Sequence, residues 1–431
     1  MEVFSIAILL FSFLLLLSTG TPVAWSIIIA SLFTLLVSVP FLPALTTISQ
    51  RMATGIDSFA LLAIPFFILS GELMNKGGVA HRLVAFAKAL VGFLPGGLAL
   101  INVISAMLMG SVAGSAMASA SAMGSILGPE MEKEGYSKGF GVAINITSAT
   151  TGLVIPPSNI LIVYSLASGG ASIAALFLAG YIPGILTGLF LMAVAIIWAK
   201  KKNFKTGKRA PLKTVFGSFV RAFPSLMLLF VVIGGIVSGV FTATEASAIA
   251  VIYTLVLGFV YKEITFKTLP TILLKSSTTT AIVMFLIGAS MSMSWVLSYE
   301  NIPEMISSGI LSLSDNKIVI LLLINFTLLF VGIFMDMTPA VLIFTPIFLP
   351  IVTKLGIDPV HFGIIMILNL CIGLCTPPVG SVLFVGVGVA NTSIQKVIKP
   401  LIPLFLAMIV ALLLVTYIPA LSLWLPSIFD L

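Results

Sequence analysis

Charged residues are scarce in this 431-residue chain. They make up 8% of it, whereas 59% of the residues are hydrophobic, and the mean hydropathy is +1.24. A soluble domain needs a charged surface, so this composition excludes an ordinary soluble fold. It predicts an all-α polytopic membrane protein, since lone helices satisfy their own backbone hydrogen bonds in lipid.

Cysteine and histidine are scarcer still, with two of each. Cys371 and Cys375 lie four positions apart in one apolar stretch, and His81 and His361 lie in unrelated segments. This pattern supports neither a disulfide framework nor a tetrahedral metal site, and we expect both cysteines to be small packing residues. No GxxxxGK[ST] motif occurs, which argues against a primary ATPase.

Long apolar runs predict the membrane segments. In a first half, 1–199, we expect spans at 3–19, 23–43, 58–74 and 176–199, an interfacial amphipathic arm at 77–95, a hairpin at 97–128 and a broken helix at 139–168. In a second half, 214–431, we expect spans at 222–240, 246–261, 278–297 and 400–424, a hairpin at 317–353 and a broken helix at 359–390.

Seven of the 21 cationic residues fall within 199–213, AKKKNFKTGKRAPLK. Between two membrane segments, such a run marks the cytoplasmic side. The segment 200–213 is therefore predicted to be a basic cytoplasmic linker between the halves.

The two halves are related by an internal repeat. A shift of 221 places Pro156-Pro157 on Pro377-Pro378, and nine of 29 positions are identical between 129–157 and 350–378. Nine further cations are also kept cytoplasmic, namely Lys76, Arg82, Lys88, Lys133, Lys138, Lys262, Lys267, Lys396 and Lys399. The hairpin 97–128 then enters from the cytoplasm and 317–353 from the outer face, with Lys317 and Lys354 as exceptions to the charge rule. The sequence thus predicts inverted repeats, each with a re-entrant hairpin and a proline-broken helix, and both termini outside.

The double prolines predict exposed carbonyl oxygens inside the membrane. Proline lacks an N–H and clashes with the carbonyl one turn back, and irregular backbone at that depth is tolerated where it is buried or lines a cavity. With nearby hydroxyl groups, such oxygens suit Na⁺. One cage would use Ser111, Ser115 and the break at 155–158; the other would use Asp336, Thr338 and the break at 375–376.

Asp336 is the one acid expected deep in a membrane segment, where an unpaired carboxylate is costly. A plain helix N-cap is the alternative for it. Thr242 and Glu245 fit a capping box, and Glu72 is expected at the end of its span. Because all four arginines lie near segment ends, a bound anion would be balanced by sodium, helix termini and donors such as Asn159.

Four motifs in order resemble the large membrane subunit (DctM/SiaM type) of tripartite ATP-independent periplasmic transporters. They are IDSFALLAIPFFILSGELMN (56–75), GSVAGSAMASASA (110–122), IPPSNILIVYS (155–165) and FTATEASA (241–248). The resemblance implies an elevator-type fold like that of the ion transporter superfamily, in a bacterial inner membrane. It implies a separate small four-helix membrane subunit and a periplasmic substrate-binding protein as partners.

The resemblance also implies sodium sites where each hairpin tip meets a broken helix. The first is expected at Ser111, Gly114, Ser115, Ile155, Pro156 and Ser158, and the second at Gly332, Asp336, Met337, Thr338, Cys375, Thr376 and Pro377. Substrate is expected at Ser115, Asn159, Thr338, Gly380 and Ser381.

The expected function is sodium-coupled import of an organic acid, of the sialic acid or C4-dicarboxylate type, with Na⁺ as the one cofactor. The alternative is a stand-alone Na⁺- or H⁺-coupled anion symporter or antiporter of the same architecture that needs no binding protein. An intramembrane aspartyl protease needs two facing aspartates, so no enzymatic activity is expected.

Overall fold

The computed structural model describes residues 2–202, 204, 207, 209–313 and 316–431, without the side chains of residues 2, 3, 112, 113, 311 and 313. The predicted linker 200–213 thus lies partly outside the described residues, which omit 203, 205, 206 and 208.

The first half of the described chain forms helices α1 to α10. Their bounds are α1 Glu2–Ser18, α2 Val23–Leu35, α3 Phe41–Gly55, α4 Ala63–Lys76, α5 Val79–Val91, α6 Gly97–Ala113, α7 Ala116–Lys133, α8 Lys138–Thr151, α9 Asn159–Ala167 and α10 Ile173–Lys201, with a short 3₁₀ helix at Phe59–Leu62.

The second half forms helices α11 to α20. Their bounds are α11 Leu212–Val237, α12 Ala243–Val260, α13 Leu269–Tyr299, α14 Ile302–Leu313, α15 Lys317–Phe334, α16 Met337–Lys354, α17 Pro359–Gly373, α18 Ser381–Val389, α19 Ile394–Tyr417 and α20 Ala420–Ile428.

The fold is that of an all-helical, multi-pass membrane protein. Eight helical segments of the described chain are long and apolar enough to cross a membrane, among them α10, α13 and α19, and no strand occurs in the described residues. The orientation of the two halves relative to a membrane stays a prediction.

The predicted single span at 23–43 differs from the structure. Helix α2 ends at Leu35, and α3 begins at Phe41 after Pro40, whose φ and ψ of −59° and 154° are extended. Proline disfavours helical conformation in the residue before it, which separates the two helices. Sequence analysis also missed α14 and α20, which are too short for a hydropathy search to identify as spans.

The two hairpins and the two broken helices pack into one interlocked body. Within each half, the first hairpin arm packs on its partner arm and on the first segment of the broken helix: α6 on α7 and α8, and α15 on α16 and α17. Between the halves, α7 contacts α18 and α16 contacts α9. Each second hairpin arm therefore supports the broken helix of the other half.

The start of α12 confirms the predicted capping box. The Glu245 backbone N–H donates to Thr242 Oγ1 at 3.2 Å, and the Thr242 backbone N–H donates to Glu245 Oε2 at 2.8 Å. Two backbone N–H groups that the helix leaves unpaired are thereby satisfied.

We expect Thr242→Ala to lower the free energy of unfolding by about 1 kcal/mol, because the hydroxyl acceptor of the cap is lost. The measurement is the thermal unfolding midpoint of the purified protein in detergent. Thr46→Ala, on an exposed face of α3, is the control that should leave the midpoint unchanged. An equal loss in both variants would show that the cap adds no stability of its own.

Candidate functional site

A cavity of about 470 Å³ lies where the two hairpin turns and the two breaks meet α4 and α13. Seven of the residues predicted for sodium or substrate line it, namely Gly114, Ser115, Asn159, Asp336, Met337, Thr338 and Ser381. The halves contribute matching positions: Ser115 and Asp336, which lie 221 positions apart, are the N-cap residues of α7 and α16, and Asn159 and Ser381 are the first residues of α9 and α18.

The first hairpin turn is formed by Gly114 and Ser115. Gly114 has a φ of +60° and ends α6, while Ser115 is extended and accepts a hydrogen bond from the Ala118 N–H at 3.3 Å. A β-carbon at Gly114 would lie 3.1 Å from Asn159 Nδ2. The turn therefore lies against the start of α9, which brings two of the predicted substrate residues, Ser115 and Asn159, to one place.

The second hairpin turn places the acid of the site. Asp336 takes the N-cap position of α16, as the plainer sequence interpretation expected, but no side-chain capping hydrogen bond forms. Its exposed side chain lines the cavity instead. Thr338, two residues later, lines the same cavity, so a carboxylate and a hydroxyl-bearing side chain are available there.

Each broken helix is interrupted for seven residues. Helix α8 ends at Thr151 and α9 begins at Asn159, while α17 ends at Gly373 and α18 begins at Ser381. The Pro156-Pro157 and Pro377-Pro378 bonds are both cis. Leu153 and Leu374, one in each break, line the cavity.

Glycine pairs hold each hairpin against its break. A β-carbon at Gly152 would lie 2.6 Å from the Gly110 Cα, and one at Gly373 would lie 2.6 Å from the Gly332 Cα. These distances leave no room for a side chain, so the backbones touch directly, as in small-residue helix contacts. The structure thus places Gly332, a predicted sodium ligand, in a backbone packing contact.

Other predicted sodium residues lie behind the cavity surface. Buried Ser111 donates to the Leu108 carbonyl at 2.9 Å, and Thr376 donates to the Ile372 carbonyl at 2.8 Å. Ile155, Pro156 and Pro377 also do not line the cavity, and neither does Gly380, which was predicted for substrate. These residues support the turns and breaks. The oxygens that they leave available to an ion are backbone carbonyl oxygens of the breaks.

Both cysteines pack against α8. Cys371 Sγ lies 3.2 Å from the Thr150 carbonyl oxygen, and Cys375 Sγ lies 3.4 Å from that of Ile146. Each thiol is fully buried. Cys375, which was predicted to belong to the second sodium site through its break, thus directs its thiol towards the first broken helix.

Two serines at the breaks carry unsatisfied oxygens. Ser158 Oγ and Ser381 Oγ are buried, and neither has a hydrogen-bond partner among the described residues. An unpaired buried hydroxyl costs about 1–3 kcal/mol, so these atoms suit an ion, a water or a substrate atom. Ser381 also lines the cavity.

An amide network ties the second hairpin to its surroundings. Asn369 Nδ2 donates to Asn325 Oδ1 at 2.9 Å, and Asn325 Nδ2 donates to Thr416 Oγ1 at 3.1 Å. These contacts join α17, α15 and α19. In the first half, Asn145 Nδ2 instead donates to the Ala120 carbonyl at 2.7 Å, so the two hairpins are anchored differently.

Sequence analysis missed the polar wall that α4 and α13 contribute. Glu72, Asn75, Lys275 and Thr279 all line the cavity, and Lys275 Nζ lies 2.8 Å from Glu72 Oε2. Glu72 was expected only to mark the end of a span. The available signal was Lys275 itself, six residues into the long apolar helix α13 and one turn before Thr279.

Comparison with known proteins gives a family match over most of the chain. Residues 10–421 match the family model described as tripartite ATP-independent periplasmic transporter, DctM component. The uncharacterized protein YgiK of Salmonella typhimurium is 56% identical, with 99% of this chain and 98% of that protein covered.

Two relatives named as TRAP transporter large permeases are similar over most of their length. The C4-dicarboxylate TRAP transporter large permease DctM of Pseudomonas aeruginosa is 41% identical over 86% of this chain and 87% of its own. The sialic acid TRAP transporter large permease SiaM of Vibrio cholerae is 38% identical over 97% and 98%. Among solved structures, the Alcanivorax borkumensis YdaH transporter is similar in fold, with a TM-score of 0.64, 14% identity, and 91% of this chain and 90% of that chain covered.

We expect Gly152→Ala and Gly373→Ala each to push a hairpin away from its break. A new methyl group in a filled contact typically costs about 1–3 kcal/mol. The measurement is the thermal unfolding midpoint of the purified protein. Gly217→Ala in α11, where a β-carbon would meet open space, is the matched control and should not lower the midpoint. Tolerance of alanine at both break glycines would contradict the close backbone contact.

Proposed function

Because this chain belongs to the DctM family of tripartite ATP-independent periplasmic transporters, we propose that it is a sodium-coupled importer of an organic acid. Family membership implies uptake with a periplasmic binding protein and a small membrane subunit. We place the small subunit on a separate four-helix chain, and the protein in a bacterial inner membrane with both termini periplasmic. Transport, with no enzymatic step, is the proposed activity.

Asp336 is the observation that carries the sodium proposal. It is a carboxylate at the turn of a hairpin, exposed to a cavity that is otherwise mostly apolar. Such a charge needs a cation or a pair to be stable inside a membrane, and Na⁺ suits a ligand set made of oxygens. We assign the second sodium to Asp336, Thr338 and carbonyls of the 374–380 break.

The first sodium is assigned to the other hairpin and break. Ser115 lines the cavity at the hairpin turn, and Ser158 ends the 152–158 break with a buried, unpaired hydroxyl. This set is neutral, so the ion would be held by oxygen dipoles alone.

The packing supports an elevator mechanism. The hairpins and broken helices contact one another within and between the halves, which lets them move as one body. Helices α4 and α13 line the cavity together with these turns and breaks and also pack on α6 and α16; they would form the fixed wall. Sodium at both turns would hold the substrate-binding arrangement during that movement.

An organic acid is the substrate class best matched to the site. Asn159 and Ser381 offer N–H and O–H donors at the starts of α9 and α18, and helix N-termini favour anionic groups. The two relatives described above are named for C4-dicarboxylates and for sialic acid, both of which are carboxylates.

We expect Asp336→Asn to abolish most Na⁺-driven uptake, because it removes the cavity charge assigned to the cation. The test is uptake into proteoliposomes with an imposed Na⁺ gradient, the small subunit and the binding protein. Asp430→Asn, near the end of the chain and outside the cavity lining, should transport normally.

Wild-type Na⁺ dependence in Asp336→Asn would refute the sodium assignment. Uptake by the wild-type protein that needs no binding protein would instead favour a stand-alone symporter.

We expect Ser158→Ala to raise the Na⁺ concentration for half-maximal uptake severalfold without lowering the unfolding midpoint. The reason is that its hydroxyl makes no hydrogen bond within the described protein, so only a bound ion would lose a contact. Ser125→Ala, at an exposed position of α7, is the control. An unchanged Na⁺ requirement would remove Ser158 from the first sodium site.

A further inference from the structure

The ion pair between Glu72 and Lys275 lies in the cavity wall and has no role in the proposed sodium sites. Lys275 Nζ lies 2.8 Å from Glu72 Oε2; the Glu72 side chain is 13% exposed and the Lys275 side chain 61%. Glu72 is therefore largely enclosed, whereas the lysine head group has much of its surface open.

Lys275 is the one basic side chain among the described residues that line the cavity, whose acids are Glu72 and Asp336. An ammonium group has three N–H donors, and the contact with Glu72 Oε2 uses one of them. The open surface of Lys275 leaves donors for a second acceptor. An acid that enters this cavity meets its strongest electrostatic attraction there.

The neighbourhood of the pair is polar as well. Thr279 lies one turn after Lys275 on α13, and Asn75 lies about one turn after Glu72 on α4; both line the cavity. Asn75 Oδ1 is buried without a hydrogen-bond partner among the described residues. It could accept a hydrogen bond from a hydroxyl group of the substrate.

The position along α13 indicates the side of the membrane. Lys275 lies six residues after Leu269, the first residue of α13, and that helix follows Lys262 and Lys267. Under the predicted topology those lysines are cytoplasmic. The pair then lies near the cytoplasmic mouth, where imported substrate leaves.

We propose that Lys275 binds the acidic group of the substrate, and that Glu72 is the internal carboxylate for which the substrate is exchanged. The inference rests on the proposed function, because it assigns a residue to the organic acid. On entry, the substrate carboxylate displaces Glu72 from the ammonium. On release, Glu72 takes the ammonium back, so that Lys275 is not left without an anionic partner.

Exchange makes a prediction that a purely structural ion pair does not. Removing the lysine charge weakens anion binding, whereas removing the glutamate charge takes away the competitor and strengthens it. A pair that only joined α4 to α13 would respond to either change in the same direction, through lost stability. The sign of the two effects therefore separates the two roles.

The experiment compares Lys275→Gln, Glu72→Gln and the double variant, each purified with the small subunit. Equilibrium binding of radiolabelled succinate and N-acetylneuraminate is measured in detergent, and uptake of the same two acids is measured in proteoliposomes with the binding protein and a Na⁺ gradient. Lys88→Gln is the matched control, since it removes the exposed Lys88–Glu130 pair, at 3.3 Å, which lies outside the cavity lining.

For the acid that the wild type binds, we expect Lys275→Gln to raise the dissociation constant about tenfold, the effect of losing one hydrogen bond to a charged group. Glu72→Gln should lower that constant and slow uptake at saturating substrate, because release loses its competitor. The double variant should behave as Lys275→Gln does, and Lys88→Gln as the wild type.

A dissociation constant that shifts in the same direction in both single variants, or in neither, would overturn the exchange. Na⁺-driven uptake by the wild type would in that case still uphold the proposed function. Binding that follows the expected signs without any Na⁺-driven uptake would uphold Lys275 as the anion site and reject sodium coupling. If the wild-type protein neither binds nor takes up either acid, that result would contradict both the exchange and the proposed function.

Discussion

Contact between each hairpin and its break is the constraint on which the rest of the site depends. A helix interrupted for seven residues leaves backbone groups that lipid cannot satisfy, so another part of the chain must cover them. Gly110 on Gly152 and Gly332 on Gly373 bring the backbones close enough to do so. Gly114 and Asp336 follow these glycines by about one helical turn, so the contacts also place the hairpin turns at the cavity.

The two halves share this frame but differ in charge. The first turn presents Gly114 and Ser115, whereas the N-cap position that Ser115 takes in α7 is taken by Asp336 in α16. The second hairpin is also tied by the Asn325–Asn369–Thr416 network, which has no matching hydrogen-bonded set among the described residues of the first half. The acidic hairpin is thus anchored by bonds between side chains, whereas the first hairpin is anchored by side-chain bonds to backbone carbonyls.

Local signals in the sequence predicted the parts of the site that local residues determine. Glycine, proline and the 221-residue shift led to the turns and breaks, and seven of the named residues do line the cavity. Contacts between residues that are distant in the sequence could not be predicted in this way. Glu72 and Lys275 are separated by 203 positions, and the contact of Cys375 with α8 joins the two halves. Helices α14 and α20 escaped notice because they are short, and α3 because Pro40 separates it from α2 within one apolar run.

Electrostatics connects the proposed sodium sites with the proposed exchange at Lys275. The lining of the cavity in the described chain carries Glu72, Lys275 and Asp336, a net charge of −1 when all three are ionised. An organic anion adds further negative charge, which a low-dielectric site resists. In the proposed mechanism, sodium would supply the missing positive charge, and Lys275 would change partners without altering the total. Sodium would then have to bind before the substrate does. This dependence of substrate binding on sodium binding is what couples the two in transport.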